Sequence, residues 1–115
     1  MARAKGGFKT RRRHKKVLKA TEGFRNSGSR SFSKAYEALT RALKYAFRDR
    51  KNKKRDFRAL WIQRINAAAR NHDLSYSKLV AGLSKNNVSL DRKILAELAV
   101  VDGKAFEALA NVARA

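Results

Sequence analysis

The sequence predicts an all-α chain, with a long basic helical N-terminal extension and a small helical C-terminal domain. Three observations carry that reading. From Ser33 to Arg70 there is neither Gly nor Pro, and apolar residues fall at Tyr36, Leu39, Leu43 and Phe47, then at Phe57, Leu60, Trp61, Ile65 and Ala68. Steps of three and four are the spacing of one helix face. Downstream, three shorter stretches repeat that spacing between polar start signals and turn residues. No apolar–polar alternation runs longer than four residues, so no strand is expected.

Taken in order, Ala2–Thr10 is a basic arm in which Gly6 and Gly7 disfavour helix. Free in solution it is expected to be disordered, for want of apolar surface to offset ordering entropy. Thr10 to Thr21 reads as a short helix, with Thr10 as its N-cap and Gly23 as its stop. Its large apolar residues, Val17 and Leu18, are adjacent and form no stripe. Cations three and four apart across Arg11–Lys16 repel one another, so this helix is expected to form on a partner. Phe24–Ser31 (FRNSGSRS) is a loop, and Ser31 or Ser33 caps the long helix. The pairs Glu37–Arg41 and Asp49–Lys53 place an acid four residues before a base, each worth a few tenths of a kcal/mol. Between Phe47 and Phe57 stands only RDRKNKKRD. The same steps carry through that gap, so one helix of roughly 57 Å is consistent, yet its middle has nothing to bury in a protein core.

From Phe57 the composition becomes that of an ordinary helical domain. Asn71–Leu74 breaks the pattern, and Ser75 or Ser77 opens a helix with Tyr76, Leu79, Val80 and Leu83 on one face. Asn86-Asn87 signals a turn. Ser89 and Asp91 begin a helix with Ile94, Leu95, Leu98 and Val101 inward, and Asp102 caps a last one carrying Phe106, Leu109 and Val112. Phe57 and Trp61 are the expected core anchors. The division thus falls into residues 1–56, the extension, and residues 57–115, a domain large enough to fold alone only marginally.

The charge is extreme and uneven. The net charge is +20, of which residues 1–58 carry +17 and residues 59–115 carry +3. Such a charge opposes compaction by self-repulsion, which a polyanion relieves; duplex phosphates lie about 1.7 Å apart along the axis. With no Cys there is no disulfide framework and no thiolate metal site. The longest apolar runs, Leu98–Val101 among them, are far short of a membrane span. The opening MARAKGGFK lacks the hydrophobic region of a secretory signal. An organelle transit peptide is also Arg-rich and acid-poor, but the Leu-rich amphipathic face is missing here.

Catalysis has little to stand on, and neither an enzyme, a cofactor nor a small-molecule substrate is expected. His14 lies inside RRRHKK, where it reads as one more hydrogen-bonding group on a phosphate surface; His72 reads as an ordinary loop histidine beside Asp73. Asp49 and Asp56 each have cations three or four residues away and read as ion-paired acids. Gly6-Gly7 is too short to cradle a phosphate.

The basic runs carry the signal. RRRHKK (Arg11, Arg12, Arg13, His14, Lys15, Lys16) and Arg48, Arg50, Lys51, Lys53, Lys54, Arg55 and Arg58 place charge all round a helix rather than on one face. That suits a helix threaded among several phosphate backbones, as in a folded RNA. Arg3, Lys5, Lys9, Lys19, Arg25 and Arg30 extend the candidate RNA-binding set in the extension. Arg64, Asn66 and Arg70 extend it toward the domain, with Ser75, Ser77 and Lys78 weaker. Phe8, Phe24, Phe32 and Tyr45 interleave with the cations, where they either stack on unpaired bases or, for Phe24 and Phe32, pack beside the start of the long helix. The bland alternative is a solvated charged face or a nuclear localisation run. The rival function is a DNA-binding helix-turn-helix formed by Ser75–Ser84 and Ser89–Val101, although Asp91 and Glu97 make the second helix a poor reader of DNA.

YAFRDRKNKKRDFRALWIQRINAAAR (Tyr45–Arg70), followed by SYSKLVAGL and LDRKILAELAVVD, resembles the bacterial large-subunit ribosomal protein L-twenty family, as does the opening MARAKGG with RRRHKKVLKAT. The resemblance covers essentially the whole chain. It implies a basic helical extension that penetrates ribosomal RNA, a small all-helical domain on the surface of the large ribosomal subunit, and a cytoplasmic location. It further implies direct rRNA binding early in subunit assembly, contact with a neighbouring ribosomal protein and, in some bacteria, repression through the protein's own messenger RNA. The cations of Arg11–Lys16 and Arg48–Arg58 inherit the rRNA-contact role. Asp56 departs from this otherwise basic or neutral run, where it would weaken a phosphate contact or orient Arg55.

Overall fold

The computed structural model describes Arg3 and residues 5–115, and among these the regular structure is all helical. The order is α1 (Phe8–Ala20), a 3-10 turn (Asn26–Ser29), α2 (Phe32–Arg70), α3 (Tyr76–Lys85), α4 (Arg92–Val101) and α5 (Gly103–Arg114). The all-α expectation holds. The chain divides into two compact units, Met1–Lys51 and Asn52–Ala115.

In the N-terminal unit the expected arm lies partly outside the described residues, at positions 1, 2 and 4. Its described end is more ordered than expected, since α1 starts at Phe8, not after Thr10. The reason is Gly7, whose φ of +55° turns the chain into the helix at low steric cost. Thr10 is therefore inside α1 and does not cap it. At the other end, the buried Thr21 hydroxyl donates at 3.2 Å to the carbonyls of both Val17 and Leu18. Gly23, at φ +84°, then redirects the chain as expected of a stop.

Ser31 precedes α2, and its carbonyl accepts from the Ala35 N–H at 2.8 Å, so α2 starts one residue before Ser33. The covered stripe of α2 here differs from the predicted one. Ala35 is buried and Ala38, Leu39 and Ala42 are half-buried, while Tyr36, Leu43 and Phe47 are exposed. The 3-10 turn accounts for part of this: a Cβ on Gly28 would already touch Ala38, at 3.9 Å. Small residues let that turn approach, and the larger apolar side chains have no layer over them.

Both predicted i,i+4 pairs are replaced by closer ones. Glu37 pairs with Lys34 at 3.8 Å, and Asp49 accepts from Arg48 Nε at 2.7 Å. In a segment this rich in cations an acid takes whichever reaches it first. The hydrogen bond from Arg48, aided by its charge and opposed by slight desolvation, holds the Asp49 carboxyl below the usual carboxylate range.

The C-terminal unit has one core. Ile65 and Ala69 of α2, Leu79 and Leu83 of α3, Leu95 and Ala96 of α4, and Phe106 and Ala110 of α5 bury together. Each short helix opens on a side-chain cap. Ser75 accepts from Lys78 N, Asp91 from Ile94 N at 2.8 Å and Asp102 from Ala105 N at 3.0 Å; each such cap contributes about 1 kcal/mol. The predicted anchors are shifted by one to two turns. Phe57 is 45% exposed and Trp61 packs only at the edge, because α3, α4 and α5 surround Ile65 and Ala69 instead. On α4 the inward face is Leu95, Ala96 and Ala99, so Ile94 and Val101 point outward, and Val112 of α5 is also exposed.

The tightest approach joins α3 to α5. A Cβ on Gly82 would fall 2.7 Å from the Ala113 carbonyl carbon and 2.8 Å from its Cα. Asn86, at the end of α3, closes the same seam by donating to the Gly82 carbonyl at 3.1 Å and the Val112 carbonyl at 2.7 Å.

Gly82→Ala is expected to destabilise the chain by about 1–3 kcal/mol, the usual range for overpacking. Gly103→Ala, where an added Cβ meets nothing within 4 Å, should be neutral or stabilising by up to about 1 kcal/mol. Thermal unfolding of both variants checks the contrast. For Asp49, the folded carboxyl titrates below its unfolded value, so the ion pair is complete above the ordinary range and is lost as pH falls through the lowered one. A carbon-detected NMR titration should show that midpoint return to the ordinary range in Arg48→Gln.

Candidate nucleic-acid interface

The side chains that could meet a polyanion sit on three elements. On α1 and just before it, Lys5, Lys9, Arg11, Arg12, Arg13, Lys15, Lys16 and Lys19 are exposed, as is Arg3. Arg25 and Arg30 flank the 3-10 turn and are exposed. On α2, Arg48, Arg50, Lys51, Lys53, Lys54, Arg55 and Arg58 are all exposed, and so are Arg64 and Arg70. Asn66 is half-buried beside the buried Ile65 and offers less surface than its neighbours.

Charge does surround the helix in the middle of α2. Of residues 43–60 all but the half-buried Asn52 are exposed. Among the described residues there are two ion pairs, Lys34–Glu37 and Arg48–Asp49. Arg48 is thus the one candidate cation with a carboxylate partner there. Asp56 makes no ion pair among the described residues, and Arg55 donates instead to Asn52 Oδ1 at 3.4 Å, so Asp56 does not orient Arg55. The other candidate cations have no carboxylate partner among the described residues and are open to an external anion.

Aromatic rings lie under several of these cations. Arg12 sits 4.4 Å from the Phe8 ring centroid, Arg48 4.9 Å from Tyr45, Lys51 4.5 Å from Phe47 and Lys53 5.9 Å from Phe57. Phe8, Tyr45, Phe47 and Phe57 are each close to half or more exposed. Each ring therefore offers a face that both a cation and a base can use. Phe32 is different: His14 stacks on it with centroids 3.8 Å apart, and Arg13 lies 5.4 Å away. That ring packs within the N-terminal unit, where Phe24 is also half-buried. His14 is consequently half-buried between the helices rather than free on the surface.

Sequence reasoning passed over Lys34, Arg41 and Lys44, which are exposed on the first turns of α2. Their scattering among apolar residues hid them, although their place on the same helix was a usable signal. The pairing of Phe47 with Lys51 and of Phe57 with Lys53 was also missed, because both rings read as core.

The geometry disfavours a DNA-reading helix pair. Of the two cations at the start of α4, Arg92 is engaged in a hydrogen bond from its Nε to the Tyr76 hydroxyl at 2.9 Å. Asp91 occupies the helix N-terminus as its cap. Only Lys93 remains to face a groove. His72 is half-buried in its turn, 6.1 Å from the Phe106 ring, and its carbonyl accepts from Arg114. Among the described residues no group of His, Cys, Asp and Glu could hold a metal ion, and no helix is long and apolar enough to cross a membrane.

Comparison with known proteins agrees with this surface. Residues 3–109 match the family model described as ribosomal protein L20. The chain is 61% identical to the large ribosomal subunit protein bL20 of Pelobacter propionicus, over all of this chain and 98% of that one. Its identity to the protein of the same name from Syntrophotalea carbinolica is 62%, and to that from Geobacter sulfurreducens 61%, with the same coverage. The chain therefore belongs to the ribosomal protein L20 family, structural proteins of the large ribosomal subunit rather than enzymes.

Proposed function

We propose that this chain binds large-subunit rRNA directly and promotes folding of that RNA during assembly of the cytoplasmic large subunit. The observation that carries the reading is the belt of cations round α2 between Arg48 and Arg58, all exposed and all but one without a carboxylate partner among the described residues. Charge on every side of a helix is of use only where phosphates approach from several directions, as inside a folded RNA. The contact set is Arg3, Lys5, Lys9, Arg11–Arg13, Lys15, Lys16, Lys19, Arg25, Arg30, Arg48, Arg50, Lys51, Lys53–Arg55 and Arg58, with Arg64, Asn66 and Arg70 nearer the domain; His14, stacked on Phe32, serves to hold α1 against α2. Residues 1–56 act as the extension and order fully on RNA, whereas residues 57–115 fold alone and choose the site. A neighbouring large-subunit protein completes the environment. In bacteria where the family represses its own messenger RNA, the same domain is the part that would do so.

Neutralising six to ten phosphates predicts a loss of roughly three to five decades in affinity between 50 and 200 mM salt. The triple variant Lys53→Gln, Lys54→Gln, Arg55→Gln should make the plot of log affinity against log salt shallower by about two to three units. The check is a salt-titrated competition of the full chain and residues 57–115 on large-subunit rRNA and on random duplex DNA. Preference for a few rRNA sites, kept in part by residues 57–115, is the expected result. Equal binding to DNA with the same slope would leave a generic polycation. Backbone NMR of the free chain should show Arg48–Arg58 fraying, and a rigid helix there would refute ordering on RNA.

A further inference from the structure

Resting on the RNA-binding reading, we propose that α2 between Tyr45 and Lys51 bridges two RNA strands at once, and that the chain thereby speeds the annealing of complementary RNA strands whatever their origin. Residues 45–51 are all exposed. Two rings stand there, each with its own cation. Arg48 lies 4.9 Å from the Tyr45 ring centroid, and Lys51 lies 4.5 Å from that of Phe47. Tyr45 is 53% exposed and Phe47 56% exposed. Each pair offers a stacking face to an unpaired base and a positive charge to its phosphate.

The two rings do not share a face. Two residues apart on a helix of 3.6 residues per turn, they stand roughly 160° apart around its axis. A strand whose base stacks on Tyr45 therefore leaves Phe47 open to a second strand. Charge completes the bridge. Two RNA strands repel one another before their bases can meet. Lys44, Arg50 and Lys51 lie along the same turns, exposed and without a carboxylate partner among the described residues. Asp49 is the one acid of the stretch, and Arg48 holds it. A helix about 10–12 Å across thus fills the space between two strands with positive charge, over a distance close to the Debye length of about 8 Å at physiological ionic strength. The parts are separate: cations bring the strands together, and rings keep bases out of self-structure and open to the other strand.

The test mixes the full chain with two complementary RNA strands of non-ribosomal sequence. Each strand can form an internal hairpin and carries one dye of an energy-transfer pair. The annealing rate should rise at least about tenfold, the lower end of electrostatic acceleration. It should peak where chain and strands are comparable in concentration, then fall as excess chain coats each strand separately. Tyr45→Ala with Phe47→Ala should reduce the gain about fivefold, the lower end of what one base stack is worth. Both side chains are exposed and Ala favours helix, so α2 persists in that variant. Tyr45→Phe with Phe47→Tyr keeps both rings and should restore the rate. No acceleration with both strands bound, a gain that polylysine of the same charge reproduces, or one insensitive to loss of the rings would overturn this inference and leave the RNA-binding reading standing. A chain that binds neither these strands nor large-subunit rRNA would overturn both.

Discussion

Nine carboxylates cannot neutralise twenty-nine lysines and arginines, and the rest of the structure follows from that imbalance. Repulsion on this scale makes a compact charged body expensive. The chain answers by segregation. Most of the excess lies in the N-terminal half, where side chains stand out along helices and bury little. The core is assembled in the C-terminal half, where acids and bases are nearly balanced and where two of five acids cap helices.

Within that half, closeness is achieved by absence of side chain. Gly82 lets the α3 backbone meet α5 at Ala113, and alanines at 69, 96 and 110 fill places where a larger residue would hold the helices apart. Phe106, Ile65 and Leu79 supply the bulk around them. Interiors packed this densely tolerate little change in volume. The Asn86 amide then gives a donor to the Val112 carbonyl near the end of α5 and a second one to the Gly82 carbonyl, which also accepts from the Asn86 N–H. In the N-terminal unit the buried Thr21 hydroxyl likewise reaches the Leu18 carbonyl, while the Val17 carbonyl accepts from both the Thr21 N–H and its hydroxyl.

The helices and their caps were largely legible in the sequence, because Ser75, Asp91 and Asp102 act locally and the apolar spacing is plain. Facing was less legible. Phe57, Ile94 and Val101 have the chemistry of core residues, but which of several apolar stripes is covered depends on where the other helices arrive. Gly82 gave no hint of its role, since a glycine within a helix reads only as a propensity cost. The stacking of His14 on Phe32 joins residues 18 apart across a loop, and no spacing rule reaches across it. The basic belt was legible because charge needs no partner in the fold to be recognised. Thr10 has the chemistry of a cap, yet α1 starts at Phe8, because Gly7 supplies the positive φ that turns the chain into the helix.

The meeting of Gly82 with Ala113 also fixes an order of events during synthesis. The C-terminal core cannot close until the last turn of α5 has emerged, whereas α1 and the basic belt of α2 are made well before it. At about 5–20 residues per second, the extension is out for several seconds before its domain can close. Throughout that interval the nascent chain is a naked polycation in surroundings crowded with RNA. Over that interval the half that carries +17 stands without a closed core beside it.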